Sequence, residues 1–233
     1  MSIPIDLHNS NQLLSEETDI RNYLYMAAND SQPIFHGIQE DMAQLNDFCL
    51  LCIDTTSKQL ADLRRTVKRY QAGELRAHHP DLGDITSDAE WALEEFEIPR
   101  WQETEEFMVR AMCLILLSAF VEKSLIELTN YLAPREAPRC KRKAGETETG
   151  ALIRHLRQIC GLHFEEPESS RAIREKCRRI RNDFAHGRWD AVKVSIADQS
   201  LSAAFGAVTD LFDAIDGASA IHGGKESGPD LNL

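Results

Sequence analysis

The fold is decided by TEEFMVRAMCLILLSAFVEKSLIELTNYL, residues 104–132, the most apolar stretch of the chain. Apolar side chains occupy nearly every helical face in the middle of this stretch. A helix that is apolar all round is buried in its own fold or covered by a second subunit. A membrane span is rejected, because Arg110, Glu122 and Lys123 leave too short an uncharged run to cross a bilayer. The stretch therefore predicts a buried central helix in a protein that does not enter a membrane.

Helical periodicity continues on both sides of this stretch, and it predicts an all-α fold. The other helical patterns lie at 16–28, 38–75, about 149–162, about 168–186 and about 197–215. Residues 76–100 are predicted to form an acidic loop, with one helical turn at 89–96 and an end at Pro99. A short extended piece is predicted at 192–195. The expected architecture is a bundle of five to six helices with long N-terminal helices.

The domain organisation follows from where these patterns begin and end. Residues 1–34 are polar and are predicted to be a partly ordered N-terminal extension. Residues 35–216 are predicted to form a single α-helical domain. Residues 217–233 contain Gly, Ser and Asp and are predicted to be a flexible C-terminal tail.

The composition suits a globular protein with a real core, since 42% of the 233 residues are hydrophobic and 27% are charged. The net charge of −12 argues against a protein that coats nucleic acid indiscriminately. The charge is uneven, because segments 135–143 and 171–188 are strongly basic while the acidic surplus lies notably between Asp81 and Glu106. Any nucleic-acid contact is therefore expected at one concentrated basic surface.

The six cysteines are scattered, and no basic and apolar leader precedes them. Free thiols in a reduced, cytoplasmic protein are expected. Cys49 and Cys52 have the spacing of a metal or redox pair, but they lie in a helical apolar pattern without a second ligand pair, which favours core packing. His78-His79 in the acidic loop is at most an adventitious metal site. No metal site and no cofactor is predicted.

The most informative motif is RNDFAHG, residues 181–187. It resembles the Arg-polar-x-x-x-His signature of the HEPN superfamily, the higher eukaryotes and prokaryotes nucleotide-binding domain. A basic helix leads into the motif, and residues 117–125 resemble the long HEPN helix that carries an acidic residue, here Glu122. The resemblance covers roughly residues 104–216. It implies a ribonuclease of the toxin or defence type.

The chemistry of the motif is consistent with that implication. Metal-independent RNA cleavage needs a base for the 2′-hydroxyl proton and a fixed cation for the charge on the phosphorane. Histidine is the side chain type suited to proton transfer near neutral pH, so His186 fits the first role, while Arg181 can bind phosphate through paired N–H donors and fits the second. Asn182 lies one helical turn before His186 and could orient the imidazole or the phosphate. Glu122 is expected to face inward and to pair with Arg181 or Arg178, with a surface ion pair as its alternative.

Simpler roles for the same residues stay open. His186 could cap a helix C-terminus, and Arg181 could pair with an acid at the edge of the core. Asn182 is of a type common near helix ends. The predicted catalytic residues are nevertheless Arg181, Asn182, His186 and Glu122. The predicted RNA-binding residues are Lys141, Arg142, Arg174, Arg178, Arg179 and Arg188.

The partners follow from geometry and from the resemblance. Arg181 and His186 lie roughly 140° apart around a continuous helix. Either the helix breaks at Gly187 and turns the imidazole back, or a second subunit completes the pocket. HEPN domains pair their motifs across a homodimer cleft, so a homodimer is expected. Some HEPN toxins carry a modifiable Tyr where this chain has Arg188, which leaves a different antitoxin or another defence-system protein as the expected partner.

The sequence thus predicts a metal-independent endoribonuclease, a toxin or antiphage effector that cuts tRNA or mRNA to 2′,3′-cyclic phosphate and 5′-hydroxyl ends. The alternative is a non-catalytic HEPN module that binds RNA or nucleotides or serves as a scaffold. A third interpretation, a plain helical dimerisation protein, leaves the basic segment 171–188 unexplained.

Overall fold

The computed structural model describes residues 24–223, and six helices make up most of this range. Helix α2 is a continuous helical run over residues 86–132, in which α-helical turns alternate with π-helical turns at Leu93–Glu97 and Thr104–Val109. The other helices are α1 (Pro33–Gln71), α3 (Glu148–Gln158), α4 (Glu168–Ala185), α5 (Trp189–Ile196) and α6 (Leu201–Gly223). The all-α prediction, with five to six helices, is confirmed.

The strands of the described residues are one antiparallel pair of two residues each, β1 (His78–His79) and β2 (Gly83–Asp84). In their register His78 lies opposite Asp84, and His79 lies opposite Gly83. Gly83 has a φ of +79°, a conformation that glycine adopts without steric cost and that suits a tight connection. The pair occupies part of the segment for which the sequence predicts a loop.

The described residues divide into two compact units. The first contains residues 24–46 and 114–223, and the second contains residues 47–113. All of the predicted catalytic and RNA-binding residues belong to the first unit. The single domain over residues 35–216 stays a prediction.

The core of the first unit is built on the C-terminal part of α2. Leu114, Leu117, Leu125 and Leu128 are fully buried there, as the apolar stretch predicts. Each buried leucine stabilises the fold by about 1.5–3 kcal/mol relative to an exposed one. The ring of Phe120 packs edge-on against a ring of α6, that of Phe212, with centroids 5.7 Å apart. These contacts fix α2 as a central helix of this unit.

The C-terminal end of α6 differs from the prediction. The sequence predicts a helix end near residue 215 and a flexible tail from residue 217. This prediction is wrong for residues 217–223, because α6 continues to Gly223. The segment before α1 packs against this extra length: the Tyr25 hydroxyl and the Ser31 hydroxyl each donate a 2.6 Å hydrogen bond to Asp216. Burial of Tyr25 and its bond to Asp216 raise the pKa of the phenol. Long-range contacts of this kind leave no periodic signal in sequence. The rest of the tail lies outside the described residues.

Three other local predictions are wrong. Residues 24–28 of the helix predicted at 16–28 are not helical, and the remainder lies outside the described residues. The segment 76–100, predicted to be a loop with one helical turn at 89–96, is helical throughout from Thr86, so the turn is present but the loop around it is wrong from there on. Pro99 does not end that helix: it lies in the α-helical stretch Ile98–Glu103, directly after the π-helical turn Leu93–Glu97. Residues 192–195 are helical rather than extended, since Val192 and Ile196 are buried at a spacing of four.

Three further observations concern partners and ligands. In the range 24–223, no helix is long and apolar enough to cross a membrane. No group of three His, Cys, Asp or Glu residues in that range could hold a metal ion. The six cysteines form no disulfide within residues 24–223, and Cys49 is buried in α1 as expected from its apolar neighbours.

Candidate functional site

Helix α4 presents one apolar face to the core and one basic face away from it. Ile173, Cys177 and Ile180 are buried at spacings of four and three, which is the periodicity of a helix packed on one side. The Ser170 hydroxyl also donates a hydrogen bond of 2.6 Å to the backbone carbonyl of Ala207. The basic side chains of α4 are consequently held on a rigid support.

The predicted site residues form a row on this helix. Arg174, Arg178, Asn182 and His186 follow one another at intervals of four, so their side chains lie along one strip of the helix surface. Arg181 flanks the row, three residues after Arg178. The strip ends at His186, where the helix itself ends.

The helix α4 ends just before Gly187, at the position of the break that the sequence offers as one of two alternatives. The φ of Gly187 is +67°, its N–H bonds to the carbonyl of Phe184, and the N–H of Arg188 bonds to the carbonyl of Asp183. These two bonds form a Schellman motif, a common helix C-terminus. The His186 side chain is exposed at this end. The chain therefore turns away directly after the histidine and leaves the imidazole accessible.

Arg181 and Glu122 form the central ion pair of the site. Arg181 Nη1 lies 2.9 Å from Glu122 Oε2, which joins α4 to α2. The two side chains are 38% and 29% exposed, so the pair is partly open to solvent. Of the two predicted partners of Glu122, the structure selects Arg181. The carboxylate fixes the direction of the guanidinium and leaves its other N–H groups for a ligand.

An open cleft of about 570 Å³ surrounds this pair. Five basic and three acidic side chains line it, together with Asn182. The basic ones are Arg142, Lys143, Arg174, Arg178 and Arg181, and the acidic ones are Glu122, Glu146 and Glu148. The cleft is thus a concentrated basic surface in an acidic protein, suited to an anionic ligand.

The predicted residues divide between the cleft and its surroundings. Arg181, Asn182, Glu122, Arg142, Arg174 and Arg178 line the cleft. His186 does not line it and lies one helical turn beyond Asn182. Lys141, Arg179 and Arg188 are exposed and lie outside the cleft lining, and Arg188 pairs with Asp183 at 3.0 Å. The structure therefore brings the predicted phosphate-binding arginine to a cleft without bringing the predicted base into it.

Arg174 differs from the other arginines of the row. Its guanidinium donates two hydrogen bonds to Glu166, the shorter one 2.7 Å long, and another to the Thr149 hydroxyl. The side chains of Arg174 and Glu166 are 8% and 6% exposed. Arg174 was predicted to bind RNA, but this buried pairing gives it a structural role in the cleft wall.

The opposite wall contains residues for which the sequence predicts no role in the site. Both carboxylate oxygens of Glu146 accept hydrogen bonds from Arg154, at 2.8 and 2.9 Å, and one also accepts from the backbone N–H of Lys143. These bonds from Arg154 and Lys143 lower the pKa of Glu146 to about 2. Thr147 then caps α3 by accepting a bond from the N–H of Gly150. Of these features, the threonine cap alone has a recognisable sequence signal.

The site therefore offers phosphate recognition beside an accessible imidazole. Arginines can hold a phosphate through paired N–H donors, and a histidine can exchange a proton near neutral pH. Three comparisons were made, with protein-family models, with curated proteins and with solved structures, and none gives a match.

Proposed function

We propose that the protein is a metal-independent endoribonuclease of the HEPN type, a toxin or antiphage defence effector that cuts tRNA or mRNA. One observation carries the proposal. Arg181 is held by Glu122 at the wall of a basic cleft, and His186 is exposed on the same helix just beyond it. A pure binding module has no need of a titratable base beside a phosphate-gripping arginine.

In this mechanism His186 removes the proton of a ribose 2′-hydroxyl. The 2′-oxygen attacks the adjacent phosphorus, the bond from phosphorus to the 5′-oxygen breaks, and that oxygen takes up a proton. The products are a 2′,3′-cyclic phosphate and a 5′-hydroxyl end. Arg181 stabilises the charge that develops on the phosphorane, and Glu122 keeps the arginine in place. Asn182 orients the imidazole or the phosphate between them.

The proposal extends to partners and location. We propose RNA as the substrate, a homodimer as the functional form, an antitoxin or other defence-system protein as a regulator, and the cytoplasm as the location. Segments 135–143 and 171–188 supply the positive charge for RNA, while the net charge of −12 disfavours indiscriminate binding elsewhere on the surface.

The test is an RNA cleavage assay in EDTA, with the chemical nature of the product ends determined. Wild type is expected to cut and to leave cyclic phosphates. The His186→Ala variant is expected to lose cleavage while it keeps its fold. His163→Ala is a matched control, since His163 is exposed and lies outside the cleft lining. Cleavage that requires a divalent metal, or that survives His186→Ala, contradicts the mechanism.

The second candidate is a non-catalytic HEPN module that binds RNA or nucleotides or acts as a scaffold. The observation that favours it is the position of His186 outside the cleft that contains Arg181. In the cleavage assay such a module produces no new RNA ends. In a binding measurement it binds RNA in a salt-dependent way, and its expression is not toxic to bacteria.

A further inference from the structure

Arg178 stands out among the arginines of the cleft. Its Nε atom is buried and has no hydrogen-bond partner among the described residues, although the side chain as a whole is only half-buried. A buried donor without a partner costs about 1–3 kcal/mol. The Arg178 side chain also lines the cleft and forms no ion pair among the described residues, so the outer nitrogens of its guanidinium remain available for an anionic oxygen.

The neighbours of Arg178 on α4 are already neutralised. Arg174 is paired with Glu166, and Arg181 is paired with Glu122. Across the cleft, Glu146 binds Arg154 through both carboxylate oxygens, while Arg142 and Lys143 are exposed on the same loop. Within residues 24–223, the cleft side chains that carry positive charge without an acidic partner are therefore Arg178, Arg142 and Lys143, while Arg181 keeps its remaining N–H groups for the reacting phosphate.

We propose that Arg178, with Arg142 and Lys143, forms a subsite for one backbone phosphate of single-stranded RNA. The phosphate is not the one that is cut, but one that flanks it along the strand. This inference rests on the proposed function for the identity of the ligand as RNA. It adds a binding position that the motif itself does not contain.

The distance along α4 indicates that the phosphate bound by Arg178 flanks the one that is cut. Arg178 precedes His186 by eight residues, which corresponds to about 12 Å along a helix. A single phosphate held by Arg178 is therefore too far from His186 of the same chain to be the group on which that histidine acts. The i,i+4 row through Asn182 connects the two positions, so one strand can follow the helix from the subsite to the imidazole.

The experiment measures binding of short 2′-O-methyl oligonucleotides, which cannot be cleaved because the attacking hydroxyl is blocked. The shortest sequence that keeps full affinity is chosen, so that a single register is populated. Each phosphate in turn is replaced by an uncharged methylphosphonate. Wild type is compared with Arg178→Gln and Arg142→Gln by fluorescence anisotropy. Arg64→Gln is the matched control, because Arg64 is exposed and lies in the other unit.

In wild type and in Arg64→Gln, one methylphosphonate position is expected to weaken binding about tenfold or more, the loss typical of a charge-assisted bond. In Arg178→Gln the same replacement is expected to have no further effect, since the two partners of one contact are not additive. Arg142→Gln is expected to reduce the loss at that position. It supplies an independent measurement if Arg178→Gln does not fold.

Equal sensitivity at every phosphate, an undiminished loss in both Arg178→Gln and Arg142→Gln, or no RNA binding at all would overturn the subsite. So would saturable binding of inorganic phosphate that depends on Arg178 while RNA binding does not, since that assigns the cleft to a free anion. Failure of the subsite and failure of the proposed function are distinguishable. If the effect of one methylphosphonate depends on Arg178 but natural RNA is not cleaved, the nuclease alone is refuted. If natural RNA is cleaved but no methylphosphonate effect depends on Arg178 or Arg142, the subsite alone is refuted.

Discussion

Arg181 and Glu122 lie 59 positions apart in the chain, and their side chains meet at 2.9 Å between Nη1 and Oε2. The contact joins α4, which carries the motif, to α2, which forms the core. Because both side chains are partly exposed, its contribution to the free energy of unfolding is small, about 0–1 kcal/mol. We infer that its main effect is to direct the guanidinium toward the cleft.

Removing the charge of Glu122 separates positioning from stability. Glu122→Gln is expected to change the free energy of unfolding by less than about 1 kcal/mol and to lower RNA cleavage about tenfold. Arg181→Ala is expected to lower cleavage by about 100-fold or more, as loss of a transition-state donor does. The double variant is expected to be no worse than Arg181→Ala. Independent, multiplicative losses in kcat would show that Glu122 does not act through Arg181.

Arg174 and Arg178 are adjacent on the same strip of α4, but their substitution is expected to have different effects. Arg174→Ala removes two hydrogen bonds to the buried Glu166 and leaves it with the longer ion pair to Arg171, at 3.6 Å. The variant is expected to destabilise the fold by about 3 kcal/mol, as measured by urea unfolding. Arg178→Ala is expected to leave stability nearly unchanged. It is expected to reduce the log–log salt slope of RNA binding by about 0.7, the value for one phosphate contact on a single strand. A destabilised Arg178→Ala variant with an unchanged slope would reverse these roles.

The position of His186 outside the cleft makes the subunit arrangement testable. If Arg181 of one subunit acts with His186 of the other, a mixed dimer of Arg181→Ala and His186→Ala subunits has one intact site. Random remixing makes half of the dimers mixed, so about a quarter of wild-type cleavage is expected to return. The measurement is RNA cleavage after the two inactive variants are unfolded and refolded together.

Two other arrangements give no recovery in that experiment. One uses both residues from a single chain, and the other forms one joint site that needs all four side chains. Sedimentation provides the control. A protein that stays monomeric at concentrations where it cuts RNA contradicts every dimer arrangement.

The loop wall of the cleft is expected to depend on pH through Glu146. The folded pKa of about 2 lies below the ordinary value of 4.5. A carboxyl group with a lowered folded pKa contributes stability above its unfolded pKa, and this is lost as pH falls from about 4.5 toward 2. Glu146→Gln is therefore expected to lower Tm at pH 7, with a gap to wild type that narrows as pH falls below about 4.5 and disappears near pH 2. Glu165→Gln, at an exposed position, is the control. A gap that is independent of pH contradicts the assignment.

Gly187 sets the end of α4 beside His186. Gly187→Ala places a side chain at φ +67° and is expected to cost about 1–2 kcal/mol of unfolding free energy. Steric clash adds nothing, since the nearest atom to an added Cβ is Trp189 Nε1 at 4.0 Å. Gly37→Ala is the matched control: it lies within α1 in open space and is expected to stabilise by about 0.5–1 kcal/mol. Equal changes in the free energy of unfolding for the two variants would contradict the role of the positive φ. A separate measurement of RNA cleavage by Gly187→Ala shows whether the turn positions His186.

The local sequence pattern was sufficient to predict most of the helices. The buried helix at 104–132 and the stripe of Ile173, Cys177 and Ile180 follow from periodicity, and the helix end at Gly187 follows from glycine's access to positive φ. These signals lie within a few residues of one another, so they survive in a single sequence. The motif residues could be selected for the same reason, because Arg181, Asn182 and His186 belong to one short segment.

The contacts between those helices could be seen only in the tertiary structure. The pairing of Arg181 with Glu122, the burial of Arg174 against Glu166, and the hydrogen bonds from Tyr25 and Ser31 that accompany the longer α6 join residues distant in the chain. The strand pair at 78–84 and the helical path past Pro99 also depended on surroundings that a local pattern does not contain. Periodicity reports which face of a helix is buried. Which charged groups share a cleft depends on how the helices pack, and that is set by the fit of the whole core.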